Sequence, residues 1–361
     1  MAPLEPRRGP VEPPWPARAW HGLDWSLVRT GDGARGERLQ ALVTGPIALD
    51  RHGVDEAWGL RSATHRRTIV RGIERRPPDE LPTMDARNAP ALARAPVPPT
   101  MDAHAASPAA REAIFEAAVA RLAAQDPTAA LALGGGIDAA AVLVAWHRLT
   151  GRWPVVVTLR TGLPDYDELT ATHELCARLG APLEAIDVPP SHLLAGLSAA
   201  VAAAQCPLYD LHPVGRLGLA RALRARGHRT LVTGDGADAA FRGRPDYDYV
   251  PIVAALTEAA GLRACSPFWD DAVLGSLRAS GPDPDKAWLR AYLERRGVPS
   301  RLARRPKRSR RLGALGLHPD PAALHPLAAA LDRPLHLRTE RARVSWATLH
   351  RLVSMLEEGT A

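Results

Sequence analysis

The sequence has 361 residues, of which 46% are hydrophobic and 24% are charged, and its formal net charge is +7. This composition is ordinary for a globular protein of one or two domains with a buried core. No apolar run is long enough to span a bilayer, and the three cysteines are too widely spaced for a disulfide framework or a metal-ligand pair. We therefore expect a cytoplasmic protein with reduced thiols.

The basic residues show a strong bias. Of 46 basic residues, 44 are arginine, and only Lys286 and Lys307 are lysine. Either these two lysines are present by chance, or they mark positions where the wide guanidinium fork cannot replace a compact ammonium group. Nine basic residues lie between positions 295 and 311. Such a segment predicts either a patch that binds nucleic acid or polyphosphate, or simply a solvated surface.

Residues 1–106 are predicted to be an N-terminal region distinct from a main domain at 107–361. Positions 1–20 are rich in proline, short apolar runs at 39–47 and 67–73 predict strands, and eight prolines at 76–108 indicate a linker. The main domain is predicted to begin with a helix, since Ser107 followed by Pro108 suits a helix start.

From this helix onward, apolar strands alternate with helices. Alternation of this kind predicts an α/β fold with a parallel sheet, in which ligands bind beyond the carboxyl ends of the strands. From about Tyr249 the pattern is helical and predicts a helical C-terminal extension. The predicted strands lie at 129–133, 154–159, 183–188 and 230–233, and the helices between them at 139–149, 168–179, 193–204 and 214–224.

Two glycine turns follow the first and the fourth predicted strands. The first contains Gly134, Gly135 and Gly136 and then Asp138. Glycines allow a backbone to approach a phosphate, the next helix start favours an anion, and an aspartate is a ligand for magnesium. The second turn contains Gly234, Asp235, Gly236 and Asp238. Either turn alone is equally compatible with a tight turn whose aspartates serve turn geometry.

Together the two turns resemble the synthetase domain of the asparagine synthetase family, whose relatives include β-lactam synthetases and lasso-peptide cyclases. In that family the first loop reads Ser-Gly-Gly-x-Asp-Ser and the second Ser-Gly-Glu-Gly-Ala-Asp-Glu. Further family segments recur in order, and both lysines fall within them. These segments are Pro267-Phe268-Trp269-Asp270, Lys286-Ala287-Trp288-Leu289-Arg290, and Pro299 followed by Arg305-Pro306-Lys307.

The resemblance implies an adenine-nucleotide alpha hydrolase-like (PP-loop) domain that uses ATP and Mg²⁺ to join a small-molecule or peptide carboxylate to ammonia or an amine through an acyl-adenylate. Gly134, Gly135 and Gly136 would receive pyrophosphate, and Asp138 and Asp238 would hold the metal. Leu133, Thr161 and Gly234 would contact the nucleotide through the backbone, and Lys286 would either contact phosphate or have a structural role. Asp235 would orient or deprotonate the attacking amine, and Lys307 would stabilise developing charge.

Several positions depart from the family pattern. Gly134 and Ala139 replace both loop serines, and Asp235 stands where relatives carry glutamate or tyrosine. Positions 71–78 resemble the segment that joins a glutaminase domain to the synthetase, but no cysteine precedes Cys176, so we expect no glutaminase chemistry on this chain. A separate glutaminase partner stays open, and so does a non-catalytic binding or scaffold protein. A role on nucleic acid is disfavoured.

Overall fold

The computed structural model describes Arg18, Leu23 and residues 25–60, 66–77, 107–163, 166–243, 249–306 and 316–359. Among these residues, five parallel strands form the main sheet, in the order β6-β5-β4-β7-β8. The strands are β4 (Ala130–Ala132), β5 (Val155–Arg160), β6 (Leu183–Asp187), β7 (Thr230–Val232) and β8 (Arg263–Cys265). The parallel α/β class expected from the sequence is confirmed.

Helices cover both faces of this sheet. Leu131, Val156 and Val232 face one hydrophobic cluster, while their neighbours Ala130 and Leu231 face another. Strands buried on both faces read as continuous apolar runs, which is why they stand out in the sequence. Up to β8 the helices are α2 (Pro108–Gln125), α3 (Ile137–Thr150), α4 (Leu169–Leu179), α5 (Pro190–Ala195), α6 (Leu197–Ala204), α7 (His212–Ala225), α8 (Ala237–Arg242) and α9 (Val250–Ala259).

After β8 the described chain is helical, which confirms the predicted C-terminal extension. A 3-10 turn at Pro267–Trp269 leads into these helices, and Asp270 caps the first of them by accepting from the backbone N–H groups of Ala272 and Val273. The helices are α10 (Asp271–Ala279), α11 (Ala287–Arg295), α12 (Ser300–Ala303), α13 (Pro321–Ala330) and α14 (Glu340–Glu358). No helix among the described residues is long and apolar enough to cross a membrane.

The described part of the N-terminal region forms a small antiparallel sheet with one helix, α1 (Arg51–Leu60). The sheet has the order β2-β1-β3 and consists of β1 (Ser26–Arg29), β2 (Arg35–Gly36) and β3 (Ile73–Arg76). Leu27 and Val54 from this region share one hydrophobic cluster with Leu349 and Leu352 of α14. The predicted boundary at residue 107 stays a prediction, and the proline-rich positions 78–106 lie outside the described residues.

Four local expectations differ from the structure. The run at 39–47 is not a strand, because Leu39 to Ala41 form a 3-10 turn that buries Leu39. The run at 67–73 makes only isolated bridges before β3 begins at Ile73. Strand β8 lies inside the stretch expected to be wholly helical. The predicted helix at 193–204 is two helices that meet at Gly196, where an added Cβ would lie 2.8 Å from Val214 Cγ1.

Candidate active site

The two glycine turns meet where the strand order of the sheet reverses. Strands β4, β5 and β6 add outward on one side, and β7 then pairs with the other side of β4. The crevice beyond the carboxyl ends of two such strands is the usual ligand site of an open parallel sheet. Positions 133–136 follow β4 and positions 233–236 follow β7, so topology brings both turns to this crevice.

The first turn leads directly into helix α3. Gly135 has φ +67°, a conformation that glycine adopts without strain, and Gly136 is the N-cap of the helix. Asp138 lies in the first turn of α3, where a carboxylate is favoured by the helix dipole. Leu133 is buried and donates its backbone N–H to Val157 O at 2.8 Å, which ties the start of the turn to β5.

The second turn packs against the first, backbone against backbone. A Cβ atom added to Gly234 would lie 2.5 Å from Ala139 N and 2.8 Å from the backbone carbon of Asp138. Only glycine leaves room for this approach. Gly236, at φ +94°, then turns the chain into α8, which carries Asp238 in its first turn.

Lys286 joins the two turns. Its Nζ lies 2.7 Å from both carboxylate oxygens of Asp138 and 2.6 Å from Oδ1 of Asp238. Burial opposes the charge of this ammonium group, but the two carboxylates outweigh burial and raise the pKa of Lys286 above its usual value. The lysine is therefore charged at neutral pH, and one cation holds two carboxylates from adjacent strand ends.

The chemistry of this pair suits a magnesium ion that arrives with phosphate. Asp138 and Asp238 are hard oxygen donors, and one small cation already contacts both. Among the described residues, no group of three or more His, Cys, Asp or Glu side chains is arranged to hold a metal. Magnesium commonly uses one or two carboxylates and completes its shell with phosphate oxygens and water. Their assignment as metal ligands stays a prediction.

Asp235 is engaged by two residues that the sequence did not single out. Arg216 of α7 places Nη2 3.2 Å from Asp235 Oδ2, and Tyr249 donates its hydroxyl to Asp235 Oδ1 at 2.9 Å. The Asp235 carboxylate, together with burial, raises the pKa of Tyr249 well above its usual value, so the phenol stays protonated. Ser266 donates its hydroxyl to Asp235 O at 2.8 Å and so holds the backbone of the second glycine turn.

Removing the charge of Asp235 is expected to destabilise the protein. The Arg216–Asp235 pair is buried, with side chains 12% and 8% exposed, so Asp235→Asn leaves a guanidinium without a counter-charge. We expect the free energy of unfolding to fall by about 3 kcal/mol. Tyr249→Phe removes one hydrogen bond to a charged group and should cost about 1.5 kcal/mol. Urea denaturation measures both, and equal midpoints for wild type and Asp235→Asn would contradict this prediction.

Other predicted residues lie around the same crevice. Thr161 follows β5, and its backbone N–H and hydroxyl both donate to Asp167, with the hydroxyl at 2.7 Å. Arg305 approaches the first turn, since its Nη1 lies 3.5 Å from the position of a Cβ on Gly135. Arg290 holds the segment that carries Arg305 by donating to Ala303 O at 2.6 Å. Lys307, two positions further on, lies outside the described residues.

The structure thus places ten of the eleven residues predicted for the site around the crevice. It adds three residues that the sequence did not identify as site residues. The residues placed around the crevice are Leu133, Gly134, Gly135, Gly136, Asp138, Thr161, Gly234, Asp235, Asp238 and Lys286. The additions are Arg216, Tyr249 and Arg305. Arg305 belongs to a segment already noted in the sequence, whereas Arg216 is one of 44 arginines and carries no distinguishing signal.

Known proteins show similarity to the central part of the chain. The family model for asparagine synthase matches residues 110–264. Amidase chyE from Penicillium rubens is 30% identical over 147 residues, which cover 37% of this chain and 22% of that relative. The chain therefore spans about a fifth of the length of that relative.

A solved NMN synthetase from Francisella tularensis is 11% identical and aligns with 71% of this chain and 96% of its own. Its TM-score is 0.35, which is too low for any argument from that likeness. The family match covers β4 to β7, the first two residues of β8 and both glycine turns. Residues 110–264, the part of the chain that carries both glycine turns, therefore match the asparagine synthase family.

Proposed function

We propose that this protein is an ATP-dependent carbon–nitrogen ligase that forms an amide through an acyl-adenylate, with AMP and pyrophosphate as products. The observation that carries the proposal is the convergence of both glycine turns at the reversal of strand order, with Asp138 and Asp238 within reach of one cation. In the first half-reaction a substrate carboxylate attacks the α-phosphorus and pyrophosphate leaves. In the second, an amine attacks the acyl carbon and AMP leaves.

The residues of the first turn are proposed to receive the leaving pyrophosphate. The backbone at Gly134–Gly136 and the start of α3 supply N–H groups and a positive helix dipole. Arg305 adds a positive charge beside Gly135. These groups replace the hydroxyls that Gly134 and Ala139 lack. Phosphoryl transfer requires chiefly positioning and charge neutralisation, which this set can provide.

Magnesium, held by Asp138 and Asp238, would neutralise charge on the phosphates. Leu133, Thr161 and Gly234 border the crevice at three strand ends and are proposed to contact the nucleotide through the backbone. Lys286 contacts both aspartates, and its ammonium is proposed to be shared between them and a phosphate group of the nucleotide.

Asp235 is proposed to orient the attacking amine. Its carboxylate is held by Arg216 and Tyr249, so an incoming ammonium group would compete with Arg216 for a preformed acceptor. The nitrogen is proposed to come from ammonia or a substrate amine, because residues 1–175 contain no cysteine to attack glutamine. Release of glutamate from labelled glutamine by the purified chain would contradict this source of nitrogen.

The reaction class is tested by exchange of labelled pyrophosphate into ATP across a panel of amino-acid, peptide and natural-product carboxylates. We expect exchange with the correct carboxylate, and AMP rather than ADP when the amine is present. Asp138→Asn, which removes one proposed metal ligand, should abolish exchange. Formation of ADP would overturn the acyl-adenylate.

The alternative is a binding or scaffold protein that keeps the fold, which the loss of both loop serines favours. Calorimetry with ATP and magnesium separates the two. A ligase binds the nucleotide, and Asp138→Asn weakens that binding. A protein that binds no nucleotide under these conditions would support the scaffold.

A further inference from the structure

Lys286 is built into the space between the two glycine turns. Its side chain is buried, with the residue 7% exposed, and its ammonium lies 5.8 Å from the centre of the Phe241 ring. The backbone is fixed on both sides, because Lys286 N donates to Asp283 O at 2.9 Å and Arg290 N donates to Lys286 O at 3.0 Å. The residue also adopts φ +52°, which is uncommon for any residue other than glycine.

We infer that Lys286 is the resting counter-cation of this site, and that its ammonium excludes a free divalent cation from Asp138 and Asp238. The ammonium contacts three of the carboxylate oxygens that a metal would need in order to bind both aspartates. A divalent cation is then admitted only together with a polyphosphate, whose negative charge gives Lys286 a new partner. The ligand class of the site is therefore a metal–polyphosphate complex and not the metal alone.

Charge and distance support this competition. Magnesium binds carboxylate oxygens at about 2.0–2.1 Å, so it would have to approach the same oxygens that lie 2.6–2.7 Å from Lys286 Nζ. Two carboxylates and one ammonium leave a net charge of −1 for these three groups. Without Lys286 the pair would carry −2 and attract a divalent cation more strongly.

The choice of lysine fits the same role. The chain uses arginine at 44 of its 46 basic positions, yet lysine stands here. An ammonium presents three donors around one atom and can contact two carboxylates at short distance. A guanidinium spreads its donors across a plane and would need the two turns to move apart. A purely structural ion pair would also hold the turns together, but it would not control the affinity for metal.

The test is binding of Mn²⁺ to the nucleotide-free protein, measured by electron paramagnetic resonance. For wild type we expect a dissociation constant on the order of 1 mM or weaker, since two carboxylates that are partly neutralised and occupied by lysine make a poor site. Lys286→Met should bind at least about tenfold more tightly. In the double variant Asp138→Asn/Lys286→Met this gain should disappear. Mg²⁺ should also raise the Tm of Lys286→Met and leave that of wild type unchanged.

Several outcomes would overturn the inference. Equal Mn²⁺ affinity for wild type and Lys286→Met would show that the lysine does not exclude the cation, and a gain that persists in the double variant would place the metal elsewhere. If Lys286→Met fails to fold, Lys286→Gln takes its place. Wild type alone is also decisive, because micromolar Mn²⁺ binding that Asp138→Asn abolishes would refute the exclusion.

Only the identity of the admitted anion rests on the proposed function. Mn²⁺ binding is measured without nucleotide, so its failure leaves the ligase proposal intact. A separate titration with Mg²⁺ and ATP tests that proposal. If wild type excludes Mn²⁺ but binds no ATP, the inference that Lys286 is the resting counter-cation stands and the ligase proposal is refuted.

Discussion

Replacing Gly234 with alanine is expected to lower the free energy of unfolding by about 3 kcal/mol and to abolish nucleotide binding. The new Cβ would lie 2.5 Å from Ala139 N and 2.8 Å from the backbone carbon and the Cβ of Asp138. These atoms belong to the start of α3, where backbone cannot yield as the end of a flexible side chain can. The two turns would have to separate, and Asp138 would move away from Lys286.

Two other glycines provide matched controls for Gly234→Ala. Gly136 has φ −85° and no atom within 4 Å of an added Cβ, so Gly136→Ala should cost less than about 1 kcal/mol. Gly135 has φ +67°, so Gly135→Ala should cost about 1–2 kcal/mol through backbone strain. Guanidinium denaturation measures the series. A Gly234→Ala midpoint equal to that of Gly136→Ala would contradict the close packing of the turns.

The strands that the sequence predicted are those whose own residues form a recognisable apolar run. β4 and β7 are short apolar runs whose neighbouring residues face opposite hydrophobic clusters. β4, β6 and β7 fall within predicted strands, and β5 runs one residue past its predicted end, to Arg160. β8 was missed because three residues, beginning with exposed Arg263, give no recognisable period, and its place depends on pairing with β7. The prediction of a strand at 39–47 was wrong because a buried 3-10 turn and a short strand both need apolar residues.

The site shows the same division between local and tertiary information. Both glycine turns were predictable, since each is a local pattern after an apolar strand. Their contact through Gly234 depends on β7 returning to the side of β4, which strand order in the sequence does not dictate. The pairing of Arg216 with Asp235 depends on how α7 packs over the turn. Composition singled out Lys286, but only the structure shows that it holds both aspartates.

The other lysine, Lys307, carries the prediction with the largest effect on catalysis. It lies outside the described residues, so its proposed role rests on the Arg-x-Lys segment and on the position of Arg305 beside the first glycine turn. If Lys307 were an ordinary surface charge, Lys307→Arg would be silent in a protein with 44 arginines. If it stabilises charge between the α-phosphate and the acyl carbon, the wider guanidinium cannot take its place.

We therefore expect Lys307→Arg and Lys307→Ala to fold normally and to retain most of the affinity for ATP. Their turnover should fall roughly a hundredfold or more, because removal of one preorganised charge costs about 2.7–4 kcal/mol of transition-state stabilisation. Arg310→Lys in the same basic segment is the control and should remain fully active. Circular dichroism, ATP titration and product formation are measured on each variant. Full turnover by Lys307→Arg would remove Lys307 from the catalytic residues.

Lys286→Arg should lower the stability of the fold as well as the rate, unlike Lys307→Arg, because a guanidinium would be forced between Asp138 and Asp238.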